Sequence, residues 1–189
     1  MTVKMSCALD RRRLLEMSAT AASLILLIPP LADAEPPAEI IIEQFSDAGR
    51  DLGSVRVPLV VRSEQEWRKL LSAQSFDITR HAGTEAPFTG AYWNQHAEGL
   101  YRCICCATAL FDSRTKFESG TGWPSFYAPI SSRNVTEKSD TSFFMVRTAV
   151  SCARCSAHLG HVFDDGPRPT GLRYCMNSAA LRFIPHAAA

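Results

Sequence analysis

The chain has 189 residues, 46% of them hydrophobic and 21% charged, with a formal net charge of +1. That length suits one domain with short extensions and is enough to bury a core. Residues 1–34 hold four basic and three acidic side chains, so the remainder carries 16 of each. A neutral domain lacks the basic footprint of a nucleic-acid or membrane-surface binder, and both classes are set aside.

The N-terminus reads as a targeting segment. Asp10-Arg11-Arg12-Arg13-Leu14-Leu15-Glu16 precedes an apolar stretch from Ala19 to Ile28, closed by Pro29-Pro30. That stretch is about half the ~20 residues of a spanning helix. Ala32-Asp33-Ala34 supplies the small-x-small pattern of a cleavage site. Residues 1–34 are therefore expected to be a twin-arginine-type signal peptide, with Glu16 where Lys is commoner in that pattern. It would be removed before Glu35, giving a periplasmic protein with no stable membrane insertion after cleavage. An uncleaved anchor is the competing reading. The twin-arginine route exports folded proteins, so metal loaded in the cytosol would protect thiols from an oxidising compartment.

Residues 35–57, with Pro36-Pro37 and the run Ile40-Ile41-Ile42, are expected to form a linker carrying at most one added strand. The domain is expected to span 58–184, with 185–189 as a tail. Ser63 three residues before Glu66 predicts a capping box and a short helix through Leu71, with Trp67, Leu70 and Leu71 on one face. A second helical turn is expected over 76–81. After Gly90, short aromatic and β-branched runs predict strands at 99–104, 109–112, 143–148, 161–163, 172–176 and 179–183. Residues 119–137 hold Gly120, Gly122, Pro124, Pro129 and Asn134, too many breakers for a regular element. The class is a small, mainly antiparallel β domain with short peripheral helices.

Two Cys-x-x-Cys pairs, Cys103/Cys106 and Cys152/Cys155, present two thiolates each about 46 residues apart. Four soft ligands are what tetrahedral zinc takes, and one structural Zn2+ per chain is expected. Two disulfides, a redox-active pair, or a zinc ribbon for nucleic acid are the alternatives. No βαβ pattern supports the redox reading, and neutral charge disfavours the ribbon. Cys105 is left as a spare thiol inside the first pair. With Cys7 in the leader, Cys175 stands alone, two residues from Arg173 on the same face of a strand. A nearby cation favours the thiolate, which is the reactive form.

Read together, Ser119-Gly120-Thr121-Gly122-Trp123-Pro124-Ser125-Phe126, Cys152-Ala153-Arg154-Cys155-Ser156-Ala157-His158-Leu159-Gly160-His161-Val162-Phe163-Asp164-Asp165-Gly166-Pro167 and Arg173-Tyr174-Cys175-Met176-Asn177-Ser178 closely resemble the B-type methionine sulfoxide reductases. The resemblance covers about residues 58–184. It implies a fold of two small antiparallel sheets of the β-tent type, a structural zinc held by the two cysteine pairs, and reduction of the R epimer of methionine sulfoxide, free or protein-bound. It also implies Cys175 as attacking thiolate, His161 as the better candidate for protonating the sulfoxide oxygen, and His158 beside it in the pocket. Arg173 would favour the thiolate. Asn177 would donate a hydrogen bond to substrate or orient a histidine, and Trp123 and Phe163 would wall the S-methyl group. A thioredoxin-like or other thiol is the implied reductant.

One position departs from the family pattern. Many members carry a resolving cysteine where this chain has Thr121, so the commonest two-cysteine cycle is excluded. Either an external thiol attacks the sulfenic acid, or Cys105 resolves it. Two readings of other classes stay open: a zinc-clamped binding module without catalysis, and a cysteine hydrolase using Cys175 with His161.

Overall fold

The computed structural model describes residues 37–141 and 146–186; the leader segment 1–34 lies outside them. Eleven strands and two short helices are described: β1 (Glu39–Phe45), β2 (Asp51–Pro58), α1 (Glu64–Leu70), α2 (Ala73–His81), β3 (Gly99–Cys103), β4 (Ala109–Asp112), β5 (Lys116–Phe117), β6 (Ser125–Phe126), β7 (Val135–Asp140), β8 (Arg147–Cys152), β9 (His158–Phe163), β10 (Arg173–Met176) and β11 (Leu181–Pro185). Every pairing is antiparallel. A six-stranded sheet runs β5-β6-β10-β9-β8-β7, a three-stranded sheet runs β11-β3-β4, and β1-β2 pair separately. This is the mainly β architecture with short helices that the sequence implies.

The two larger sheets share one core. Tyr101 and Phe111 of the three-stranded sheet meet Phe126 and Tyr174 of the six-stranded one, with Phe111 and Phe126 stacked at 4.5 Å. Leu110, Val150, Leu159 and Met176 complete it, all fully covered. Such burial is the main driving force for joining the sheets. It leaves the opposite face of the six-stranded sheet for chemistry.

Differences from the sequence reading have local causes. Residues 39–58 form a hairpin, closed by a turn at Ser46–Arg50 with Gly49 at φ 74. Its Ile run shows no core-like periodicity because Ile42 alone is buried. The hairpin is tied down instead by Asn134, whose side chain accepts from Glu43 N–H at 2.9 Å and donates to the Glu43 and Ala109 carbonyls. Asn134 had counted as a breaker; β6 and β7 also run through its segment. The expected strand at 143–148 begins at Arg147, its earlier part falling partly outside the described residues, and continues to Cys152. Ser178–Ala180 is a 3-10 turn, so β11 starts at Leu181.

The capping box at Ser63 and Glu66 is present. Trp67 is buried, but Leu70 is 60% exposed, because α1 is too short to cover a full stripe. α2 begins at Ala73, three residues earlier than expected, because Ser72 caps it.

Candidate active site

The register of the sheet assembles the site. Cys175 of β10 lies opposite His161 of β9 on one side and Ser125 of β6 on the other. Two positions along, Arg173 lies opposite Phe163. Residues i and i+2 share a face, so Cys175, His161, Ser125, Arg173 and Phe163 project together. His158 and His161 are three apart and would face opposite ways in a regular strand. A bulge against Val150/Ser151 adds one residue to β9. The two rings consequently meet edge to face, with centroids 5.3 Å apart.

β10 and β9 pack closely at Gly160. Any Cβ there would overlap the Cys175 carbonyl oxygen. This requirement for glycine was not recognised from sequence, although the Leu159-Gly160 step between two histidines was visible.

Burial pushes the Cys175 thiol above its usual range, while Arg173, Thr121 and Ser125 draw it back only in part. The sequence, with Arg173 two residues away, implies the opposite direction. Arg173 is less available than expected, because it pairs through two bonds of 2.8 Å with Asp165 and lies 4.4 Å over the Phe163 ring. Beside the thiol, Thr121 Oγ1, Ser119 Oγ and Ser125 Oγ form a chain with steps of 2.8 and 2.7 Å.

His161 Nε2 lies 2.8 Å from Asp140 Oδ2. His158 is buried, and its Nε2 has no hydrogen-bond partner among the described residues. Burial, reinforced by His161, lowers the His158 pKa to about 4. His158 is accordingly neutral near pH 7. Neither Asp140 nor its contact to His161 was anticipated from sequence; its distance along the chain hides it.

Trp123 is half-buried, and its indole N–H donates to the Glu85 carbonyl at 3.0 Å. Gly122 sits at φ 87, and a Cβ there would meet Phe88 N at 2.7 Å. These contacts fix the loop that carries Trp123. Phe163 has one face covered by Arg173. Asn177 is placed differently from expectation. Its side chain accepts from Glu85 N–H at 3.0 Å and donates to the Leu159 carbonyl at 3.1 Å, anchoring the chain beyond Cys175 to the main chain around it.

At the turns β3–β4 and β8–β9, the sulfurs of Cys103, Cys106, Cys152 and Cys155 lie within 4.8 Å of one another. Cys103 and Cys155 are 3.6 Å apart, and Cys106 and Cys152 are 3.5 Å apart. Those distances are far beyond a disulfide bond of about 2.05 Å. They match the ~3.8 Å edge of a tetrahedron with Zn–S near 2.3 Å. All six described cysteines are free. Ala107 and Ser156, each following the second cysteine of its pair, take φ of 60 and 55. That strained turn closes each knuckle and aims both thiols inward. The donor set fits zinc, which would brace the ends of two hairpins and take no part in the reacting site. Cys105 is drawn below its usual range by Cys103, Cys155, Thr79 and Arg80, none of which is among the groups that act on Cys175.

Residues 71–185 match the family model of the SelR domain. Over 124 residues, 66% of this chain, it is 56% identical to the peptide methionine sulfoxide reductase MsrB of Herminiimonas arsenicoxydans, covering 90% of that protein. It is 63% identical over 121 residues to the chloroplastic peptide methionine sulfoxide reductase B1 of Arabidopsis thaliana, covering 64% of this chain and 59% of that one. It is 55% identical over 126 residues to MsrB of Pseudomonas fluorescens, covering 67% of this chain and 96% of that protein. With the four-thiol cluster and the Cys175 row in place, these matches establish that the chain is an oxidoreductase belonging to the SelR-domain family of B-type peptide methionine sulfoxide reductases.

Proposed function

We propose that the chain reduces the R epimer of methionine sulfoxide to methionine through a sulfenic acid on Cys175. The observation that carries this reading is the row Ser125–Cys175–His161, which sets a half-buried thiol between hydroxyls and an imidazole. A sulfoxide oxygen leaves sulfur only when protonated, so a nucleophile and an acid must act on neighbouring atoms.

The Cys175 sulfur attacks the sulfoxide sulfur while His161 protonates the oxygen. Attack joins the two sulfurs. The protonated oxygen then passes from the substrate sulfur to the Cys175 sulfur as the sulfur–sulfur bond breaks, which releases methionine and leaves Cys175 as sulfenic acid. Methionine sulfur gains two electrons and Cys175 sulfur loses two. His158, neutral and buried, helps to exclude water and like charge from the ring beside it. Trp123 forms the apolar wall for the S-methyl group, which supports selection between epimers.

A small-molecule or protein thiol then attacks the sulfenic acid and releases water. A second thiol breaks the mixed disulfide and restores Cys175. Thr121 in place of a resolving cysteine and the separate surroundings of Cys105 support direct recycling by an external reductant. The leader residues Arg11 to Leu15 support repair of envelope proteins in the periplasm, testable by fractionating the host. Recovery of the protein only from cytosol would overturn that location.

The decisive test incubates the protein with each epimer of a methionine sulfoxide peptide and dithiothreitol. Consumption of the R epimer alone, abolished by Cys175→Ser, is expected. An unreacted R epimer would sink the assignment in favour of a zinc-clamped binding module.

A further inference from the structure

Asp140 takes no direct part in the Cys175 reaction, yet its side chain lies in hydrogen-bond contact with the acid, His161. Asp140 ends β7, and Oδ2 reaches His161 Nε2 at 2.8 Å and Arg147 Nη2 at 3.0 Å. The side chains are largely covered, with 21%, 13% and 22% exposure for Asp140, His161 and Arg147. A carboxylate only accepts hydrogen bonds, so Nε2 carries the hydrogen in this contact. The second ring nitrogen, Nδ1, is then the one left for the substrate. Arg147 on the same oxygen fixes the carboxylate in direction. Among the described residues, the charged and titratable groups about the ring include Asp140 of β7, Arg147 of β8, His158 of β9 and Cys175 of β10.

We infer that Asp140, fixed by Arg147, is the positioning residue that commits His161 to proton transfer through Nδ1. This rests on the reading that His161 protonates the sulfoxide oxygen. The carboxylate does for this ring what the buried aspartate does in a Ser-His-Asp triad, setting tautomer and orientation without touching substrate. His158 makes no such contact, which separates the roles of two neighbouring imidazoles.

The test uses the zinc-loaded full-length protein. Nitrogen-15 spectra of wild type should show His161 with Nε2 protonated. Asp140→Asn should lose that signature and lower kcat about 100-fold, in the range of general acid effects, with KM changed by less than about threefold. Asp140→Glu should restore at least about a tenth of kcat. In a His161→Ala background, Asp140→Asn should add no further loss. An unchanged tautomer and kcat in Asp140→Asn, or a full additional loss in the His161→Ala background, would overturn the inference. Failure of wild type to reduce the sulfoxide would instead overturn the activity, and the nitrogen spectrum would still decide the pairing.

Discussion

Thr121 Oγ1 stands 4.0 Å from Cys175 Sγ. A hydroxyl at that place can donate to a thiolate but cannot form a disulfide with it. Ser119 holds the hydroxyl at 2.8 Å and also reaches Ser125 at 2.7 Å, so the position is supported from behind. Thr121→Cys should therefore restore an internal resolving step. After one equivalent of sulfoxide without reductant, wild type should give a dimedone adduct on Cys175. The variant should lose two thiols and give no adduct, measured by intact mass and thiol titration. Persistent dimedone labelling of the variant would show that the two side chains cannot approach.

Glu85 ties together both sides of the site and was invisible in the sequence. It is 4% exposed, and its carboxylate accepts Ser178 N–H at 2.6 Å and Ala179 N–H at 3.0 Å. Its main chain also accepts the Trp123 indole and donates to Asn177. Glu85→Ala leaves buried donors without acceptors, at a cost of roughly 2–4 kcal/mol. Urea unfolding should show that loss, with a raised KM as the Trp123 loop loosens. Glu85→Gln, which keeps one acceptor, should fall between Ala and wild type.

What could be read beforehand divides along the range of the interaction. The two cysteine pairs and the box at Ser63 are local patterns, and the structure places them as their spacing implies. Runs such as 109–112 and 99–103 show themselves as strands because an aromatic residue and leucine sit in a short stretch bounded by turn residues. Asn134, Glu85 and Asp140 act on partners 91, 93 and 21 residues away in sequence, where no periodicity marks them. The net rise of the Cys175 pKa was equally hidden. The strand put Arg173 on its face, but only the fold revealed Asp165 as a competitor and the depth of burial.

The zinc knuckles should depend on Arg80. Its Nη1 and Nη2 both donate to the Cys155 carbonyl at 3.1 Å, and its guanidinium lies 5.1 Å from the Trp67 ring centroid. A zinc ion with four thiolates carries a net charge of −2, so a cation bonded to a ligand residue's backbone both orients and stabilises it. Arg80→Ala should release zinc to a chromogenic chelator about ten times faster than wild type, with Arg80→Lys between them. Full removal of zinc should lower Tm, since binding free energy is folding free energy. Equal release rates in all three proteins would leave Arg80 a packing residue only.

His158 gives the fold an acid limit. Its pKa is about 4 against the usual 6.5, mainly because burial disfavours the charged ring. In that interval the unfolded chain binds a proton that the folded one does not, so stability falls as pH falls. The contribution is intact above about pH 6.5 and is lost progressively toward pH 4. Between pH 7 and pH 5 the loss comes to about 2 kcal/mol. His158→Gln removes the titration and should show a slope shallower by that amount in urea unfolding. The comparison is made between the two proteins across the same pH range, so protonation of the zinc thiolates cancels. Parallel slopes would mean that His158 takes up its proton without unfolding.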